Sequence, residues 1–236
     1  MTTHTALQDA TIAFDLDGTL VESAPDLVGA INAVLQAAGY PAVTYPQAKA
    51  HVSRGAKWMI QWALTQAGEP EPEARSADLF PQFVDRYREH IADESRPFPG
   101  VVDAIQQLKA AGAKLVVCTN KPTALSVRLL TLLDMAPLFD GVVGLDAVTA
   151  PKPDPAHLIE AVQAVGGDLS RTVMVGDAAP DAGAARGAGT PLILVSFGYT
   201  EIPAADLKPD VLLHHFDDLV QACTGLLDPS PNRATA

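Results

Sequence analysis

Short apolar runs alternate along the chain with stretches in which apolar positions return every three or four residues. The runs at 11–16, 114–119, 142–144, 172–176, 191–195 and 211–213 show no polar face. They predict strands covered on both sides, as in a parallel sheet. The stretches at 101–111, 122–133, 155–165 and 181–188 predict helices, and Gly112, Gly166 and Gly189 fall where those helices should end. Regular alternation of this kind predicts an α/β fold, a Rossmann-like parallel sheet core covered by helices.

One interval breaks the rhythm. The first strand ends near Leu16, and the next does not begin until Lys114. A crossover needs far less chain, and a structureless loop of that length is not expected. The interval reads as helices at 26–38, 46–52, 56–66 and 75–92, followed by a stiff return through Arg96-Pro97-Phe98-Pro99-Gly100. Residues 22–95 are therefore expected to form a small helical cap domain inserted into a core made of 1–21 and 96–227. The alternative is a helical bundle on the outer flank of the sheet. The Pro-rich, polar tail at 228–236 is expected to be disordered.

Composition narrows the class. Of 236 residues, 48% are hydrophobic and 19% charged, an ordinary globular balance. No apolar run approaches the ~20 residues of a membrane helix, and the first ten residues do not resemble a secretory signal. The two cysteines, Cys118 and Cys223, are expected to be buried thiols in a reducing cytoplasm, with no Cys/His spacing for zinc. His214-His215 likewise lacks a partner at metal spacing. The net charge of −12 argues against nucleic acid as a partner. A phosphorylated substrate would need positive charge placed locally.

Chemistry concentrates where strands end, which is where parallel sheets bind ligands. Asp15-Leu16-Asp17-Gly18-Thr19-Leu20 puts two carboxylates, two residues apart, after the first strand. It opens like a calcium loop, but the later ligand positions do not fit one. Thr119-Asn120-Lys121-Pro122 ends another strand with a hydroxyl and an amide, suited either to a phosphate at a helix start or to plain capping. Lys152 lies between Pro151 and Pro153, on a stiffened loop. Gly176-Asp177 ends a fourth strand, and Asp181 opens the next helix. Together these segments offer a nucleophile, a proton-transfer acid, an oxyanion hydroxyl, a cationic clamp and metal-binding carboxylates.

In order and type, these segments resemble the four motifs of the haloacid dehalogenase superfamily, over about residues 11–226. Asp15 to Leu20 match its first motif nearly verbatim. Thr119-Asn120-Lys121-Pro122 and Lys152-Pro153-Asp154-Pro155 look like the phosphoglycolate phosphatase group, and so does a helical cap inserted directly after the first motif. The resemblance implies an aspartyl-phosphate formed on Asp15, with Asp17 as acid and base. It also implies Mg2+ on the Asp15 carboxylate, the Asp17 carbonyl and Asp177, with Asp181 in support. Thr119, Asn120 and Lys152 would bind the phosphoryl group. An acid at Asp17 suits a poor alkoxide leaving group, where a halide would need none. In the cap, Ser53-Arg54-Gly55-Ala56-Lys57 begins a helix with two cations. Arg54 is the expected reader of a substrate carboxylate, although a solvated helix start fits as well. This stretch is less glycine-rich than is usual in the group. His51 is nearby, and a surface or packing role is expected for it. The expected substrate is 2-phosphoglycolate. The alternatives are a sugar-phosphate phosphatase or phosphomutase of the same superfamily and, in a different class, a receiver-type phospho-acceptor domain. No dinucleotide fingerprint follows the first strand, and the oligomeric state is not legible.

Overall fold

A computed structural model of the chain describes residues 6–228. Its elements in chain order are β1 Thr11–Phe14, β2 Val21–Glu22, α1 Ala24–Ala37, α2 Tyr45–Lys49, α3 Ala56–Gln66, α4 Pro72–Glu89 and β3 Arg96–Pro97. They continue as α5 Val101–Ala110, β4 Lys114–Thr119, α6 Thr123–Leu132, β5 Gly141–Gly144, α7 Pro155–Ala164, β6 Thr172–Gly176, α8 Ala179–Ala188, β7 Leu192–Val195, β8 Val211–Leu213 and α9 Leu219–Leu227. Except for Asp228, the expected disordered tail lies outside the described residues.

The six longer strands form one parallel sheet in the order β5-β4-β1-β6-β7-β8. This is the expected α/β class. Side chains alternate across it as the pleat requires. Ile12 and Phe14 join the core that includes Ile105 and Cys223, on α5 and α9. Ala13, with Met174 and Leu194, meets Leu158 and Ala185 on α7 and α8. Both faces are buried, which is why the strands read as unbroken apolar runs. Cys118 and Cys223 are free thiols inside these cores.

Strands β4 and β5 lie on one side of β1, and β6, β7 and β8 lie on the other. The chain thus reverses its direction of travel between β1 and β6, and a crevice opens there beyond the strand ends. Asp15 and Asp177 immediately follow those two strands.

Helices α1, α3 and α4 pack on one another between β1 and β4. A two-stranded antiparallel ribbon, with Val21 against Pro97 and Glu22 against Arg96, ties the chain's departure from the core to its return. Sequence periodicity does not reveal this ribbon: Arg96 and Pro97, in the stiff, turn-rich return, pair as a strand. The buried Asp26 carboxylate locks it, accepting from the Glu94 and Ser95 N–H groups and from the Ser95 hydroxyl at 2.7–3.1 Å.

Candidate active site

The loop after β1 turns sharply at Gly18, where φ is +86°. A Cβ there would lie 2.6 Å from Asp177 Oδ2 and 2.8 Å from the Tyr199 ring, so only glycine allows this approach. A Cβ on Gly176 would collide in the same way with the Asp181 carboxylate, 2.3 Å away. These two glycines let three acidic residues crowd together: Asp15, Asp177 and Asp181 each offer an oxygen within 4.8 Å of the others.

Lys152 is the cation in this cluster. Its ammonium lies 2.9 Å from Asp15 and 2.7 Å from Asp181. It reaches inward from a loop with a cis Lys152–Pro153 peptide. The loop is held from beneath by His157, which is buried on α7. His157 Nδ1 accepts from the Lys152 N–H at 3.3 Å, and Nε2 lies 3.2 Å from the Val143 carbonyl. Burial holds the His157 imidazole below its usual range, so the neutral ring can accept and donate at once.

The electrostatics are unbalanced. Burial works against the charged form of Lys152, yet Asp15 and Asp181 outweigh it and hold the ammonium well above the usual lysine range. Burial pushes the Asp15 carboxyl up to about 6, with Lys152 opposing and the neighbouring carboxylates assisting. Burial and the charges of Asp181 and Asp15 raise Asp177 well above the usual carboxylate range. Three carboxylates facing one ammonium form an oxygen donor set that could hold a hard cation. Asp181 is already engaged: Oδ1 accepts from Lys152 at 2.7 Å, and Oδ2 accepts from the Asp177 and Ala178 N–H groups at 3.1 Å each. Asp177 accepts from the Thr19 hydroxyl at 3.2 Å and the Tyr199 N–H at 2.5 Å.

The Asp17 side chain has different partners. Lys121 Nζ lies 2.8 and 2.7 Å from its two oxygens, and the Ser23 hydroxyl donates at 2.5 Å. Burial opposes the charge on Lys121, but Asp17 outweighs it and holds the ammonium above the usual range. Thr119 is buried at the end of β4, and its Oγ1 accepts from the Lys121 N–H at 3.2 Å. Asn120 Nδ2 donates to the Lys152 carbonyl at 2.8 Å, and its Oδ1 is buried without a partner. Helix α6 is capped by another residue, since the Thr123 N–H donates to Asp146 at 2.8 Å.

Above this floor is a cavity of about 640 Å³ lined by Asp15, Asp17, Thr119, Asn120 and Lys121 together with aromatic and apolar side chains of α3 and α4. Arg54 lines it too, but its guanidinium is taken. Nε and Nη2 lie 2.7 and 2.9 Å from the two oxygens of Glu201, in the loop after β7. His51 joins that carboxylate at 2.8 Å and packs against Trp58 and Trp62. Asp15, Asp17, Thr119 and Asn120 therefore line one cavity with Arg54 at its mouth, while Lys152, Asp177 and Asp181 lie behind Asp15 in the acidic cluster. His214 and His215 lie elsewhere, beside Ser196 and Asp217. Sequence reasoning missed Lys121 as a partner of Asp17, along with Ser23, His157, Tyr199 and Glu201. Only Lys121 carried a signal, through its place in the Thr119-Asn120 segment.

The haloacid dehalogenase-like hydrolase family matches residues 10–189. The chain is 50% identical over 234 residues to the phosphoglycolate phosphatase of Caulobacter vibrioides, which covers 98% of this chain and 99% of that one. The crystal structure of a predicted phosphoglycolate phosphatase from Haemophilus somnus matches with a TM-score of 0.85 at 32% identity, covering 92% of this chain and 98% of that one. That of CbbY from Rhodobacter sphaeroides, in complex with phosphate, matches with a TM-score of 0.73 at 26% identity, over 90% and 96% of the two chains. The chain belongs to the haloacid dehalogenase-like hydrolases. Within them it takes its place among the phosphoric monoester hydrolases.

Proposed function

We propose that this enzyme hydrolyses 2-phosphoglycolate to glycolate and phosphate through an aspartyl-phosphate on Asp15. The observation that carries this reading is the Asp15 carboxylate itself, at the strand end between β4 and β6, with Lys152 2.9 Å away and Asp17 lining the same cavity. The chain's likeness to phosphoglycolate phosphatases supports this substrate. The cavity has room for a larger organic group, so a sugar phosphate is the second reading.

In this mechanism Asp15 attacks phosphorus. Asp17 gives a proton to the departing glycolate oxygen and then takes one from the water that cleaves the acyl phosphate. Thr119 and Asn120 orient the phosphoryl oxygens, and Lys152 neutralises their charge. The acidic donor set fits Mg2+, held by Asp15, the Asp17 carbonyl and Asp177, with Asp181 fixing Lys152 and the loop before α8. When bound, Mg2+ offsets repulsion between the nucleophile and the phosphate. Residues 22–95 act as a cap that screens the reaction from water and reads the organic group, over a core of 1–21 and 96–227. Two buried free thiols fit a cytoplasmic enzyme. Among the described residues no helix is long and apolar enough to cross a membrane.

The test is phosphate release from a panel containing 2-phosphoglycolate and sugar phosphates, with Mg2+ and with chelator. Phosphoglycolate should be preferred, chelator should stop turnover, and Asp15→Asn should lose about 10⁴-fold or more. An Asp15→Asn variant keeping a few percent of activity would rule out the covalent route. Preference for a sugar phosphate would move the substrate and leave the chemistry.

A further inference from the structure

We propose that Lys121 and Tyr87 together form the subsite for the substrate's carboxylate, an inference that rests on the phosphoglycolate reading. Two adjoining groups in the cavity wall lead to it. Tyr87, on α4, is only 1% exposed and lines the cavity, and its hydroxyl has no partner at ordinary hydrogen-bond distance, only a weak contact with the Lys121 ammonium. A buried hydroxyl without a partner is costly unless something else satisfies it. Beside it, the Lys121 ammonium lies 4.8 Å from the centre of the Tyr87 ring, and the lysine side chain is 5% exposed. An ammonium has three N–H groups, and the two Asp17 oxygens use at most two of them. A charged donor and a neutral donor therefore sit next to each other in the cavity wall.

Their place suits the substrate. In 2-phosphoglycolate the carboxyl carbon is two bonds from the ester oxygen that Asp17 must protonate. A group held 2.7–2.8 Å from Asp17 is therefore within reach of that carboxylate when the ester oxygen is at Asp17. Arg54 is worse placed for the task. Its side chain is 48% exposed, and Glu201 already takes both arms of its fork. A substrate carboxylate would have to displace an existing carboxylate there, in a solvated setting where ion pairs discriminate weakly. At Lys121 the substrate adds a partner in a buried site, where loss of a charged hydrogen bond is felt strongly.

The experiment compares kcat/KM for 2-phosphoglycolate with that for 2-hydroxyethyl phosphate, in which an uncharged group replaces the carboxylate. Wild type should prefer phosphoglycolate. Lys121→Met should reduce that ratio about 30- to 300-fold, whatever it does to turnover through Asp17. Tyr87→Phe should reduce the ratio about 3- to 10-fold with little change in Tm, because in the free protein the lost hydroxyl makes only a weak contact with Lys121. This second variant decides the matter if Lys121→Met fails to fold. Arg54→Ala should change the ratio less than about threefold. A ratio unchanged within twofold in Tyr87→Phe and Lys121→Met, or one that collapses in Arg54→Ala alone, would overturn the subsite. If wild type hydrolyses 2-hydroxyethyl phosphate but not phosphoglycolate, the substrate reading fails and the subsite fails with it.

Discussion

Two clusters of charge border the same cavity, and they are built on opposite terms. At the floor, Asp15, Asp177 and Asp181 face a single ammonium, Lys152, whose side chain is 1% exposed. At the mouth, Glu201 meets Arg54 in a two-armed contact with His51 alongside, and the Glu201 side chain is 33% exposed. The mouth is charge-matched and open to water, so its geometry is good while its energy is small. The floor is mismatched and largely buried, so every charge there is expensive and none is spare. Good ion-pair geometry marks a contact, whereas an uncompensated buried charge marks a site adapted to something it binds.

The comparison is broken most severely at Lys152. Lys152→Met removes the only cation that touches Asp15 and Asp181 among the described residues, and the protein should lose about 3–5 kcal/mol of stability in denaturant melts along with its activity. A loss below about 1 kcal/mol would mean that the carboxylates had simply taken up protons. The second test follows the floor through pH. The folded protein binds the Asp15 proton more tightly than the unfolded chain does, with the carboxyl raised from 3.8 to about 6. That contribution is fully present below about pH 4 and is lost as pH rises through 6, a change of about 2–3 kcal/mol in metal-free protein. The stability of Asp15→Asn relative to wild type should accordingly grow between pH 4.5 and 7.5. An advantage that stays flat over that range would contradict the raised carboxyl. The smallest effect belongs to the mouth. Glu201→Gln should change stability by less than about 1 kcal/mol and become indistinguishable from wild type at high salt. A salt-insensitive loss of several kcal/mol would show that the two clusters do not differ in kind.

The floor was legible because each of its groups follows a strand. Apolar runs such as 172–176 announce themselves, and a carboxylate at such an end is out of place unless it has work there. The residues around Asp17 were not legible, since their partners come from afar. Lys121 finds Asp17 across 104 positions, and Glu201 finds Arg54 across 147. Nothing local distinguishes Glu201 from a solvated charge, and Lys121 has only its place after Thr119-Asn120. Tyr87 reads as one more apolar position on an amphipathic helix, and only packing shows its hydroxyl stranded. The β2–β3 ribbon escapes for a simpler reason: two residues per strand are too few for any periodicity to register.

That ribbon makes the helical insert a detour in the path of the chain. Val21 and Glu22 run antiparallel to Pro97 and Arg96, so the two cut ends left by removing 23–95 would already be neighbours in the geometry that a short reverse turn closes. The path of the sheet is therefore independent of the path of the insert, although Leu27 and Ile31 share a core cluster with Phe14. The insert and the core also meet across the cavity, where Tyr87 lies beside Lys121.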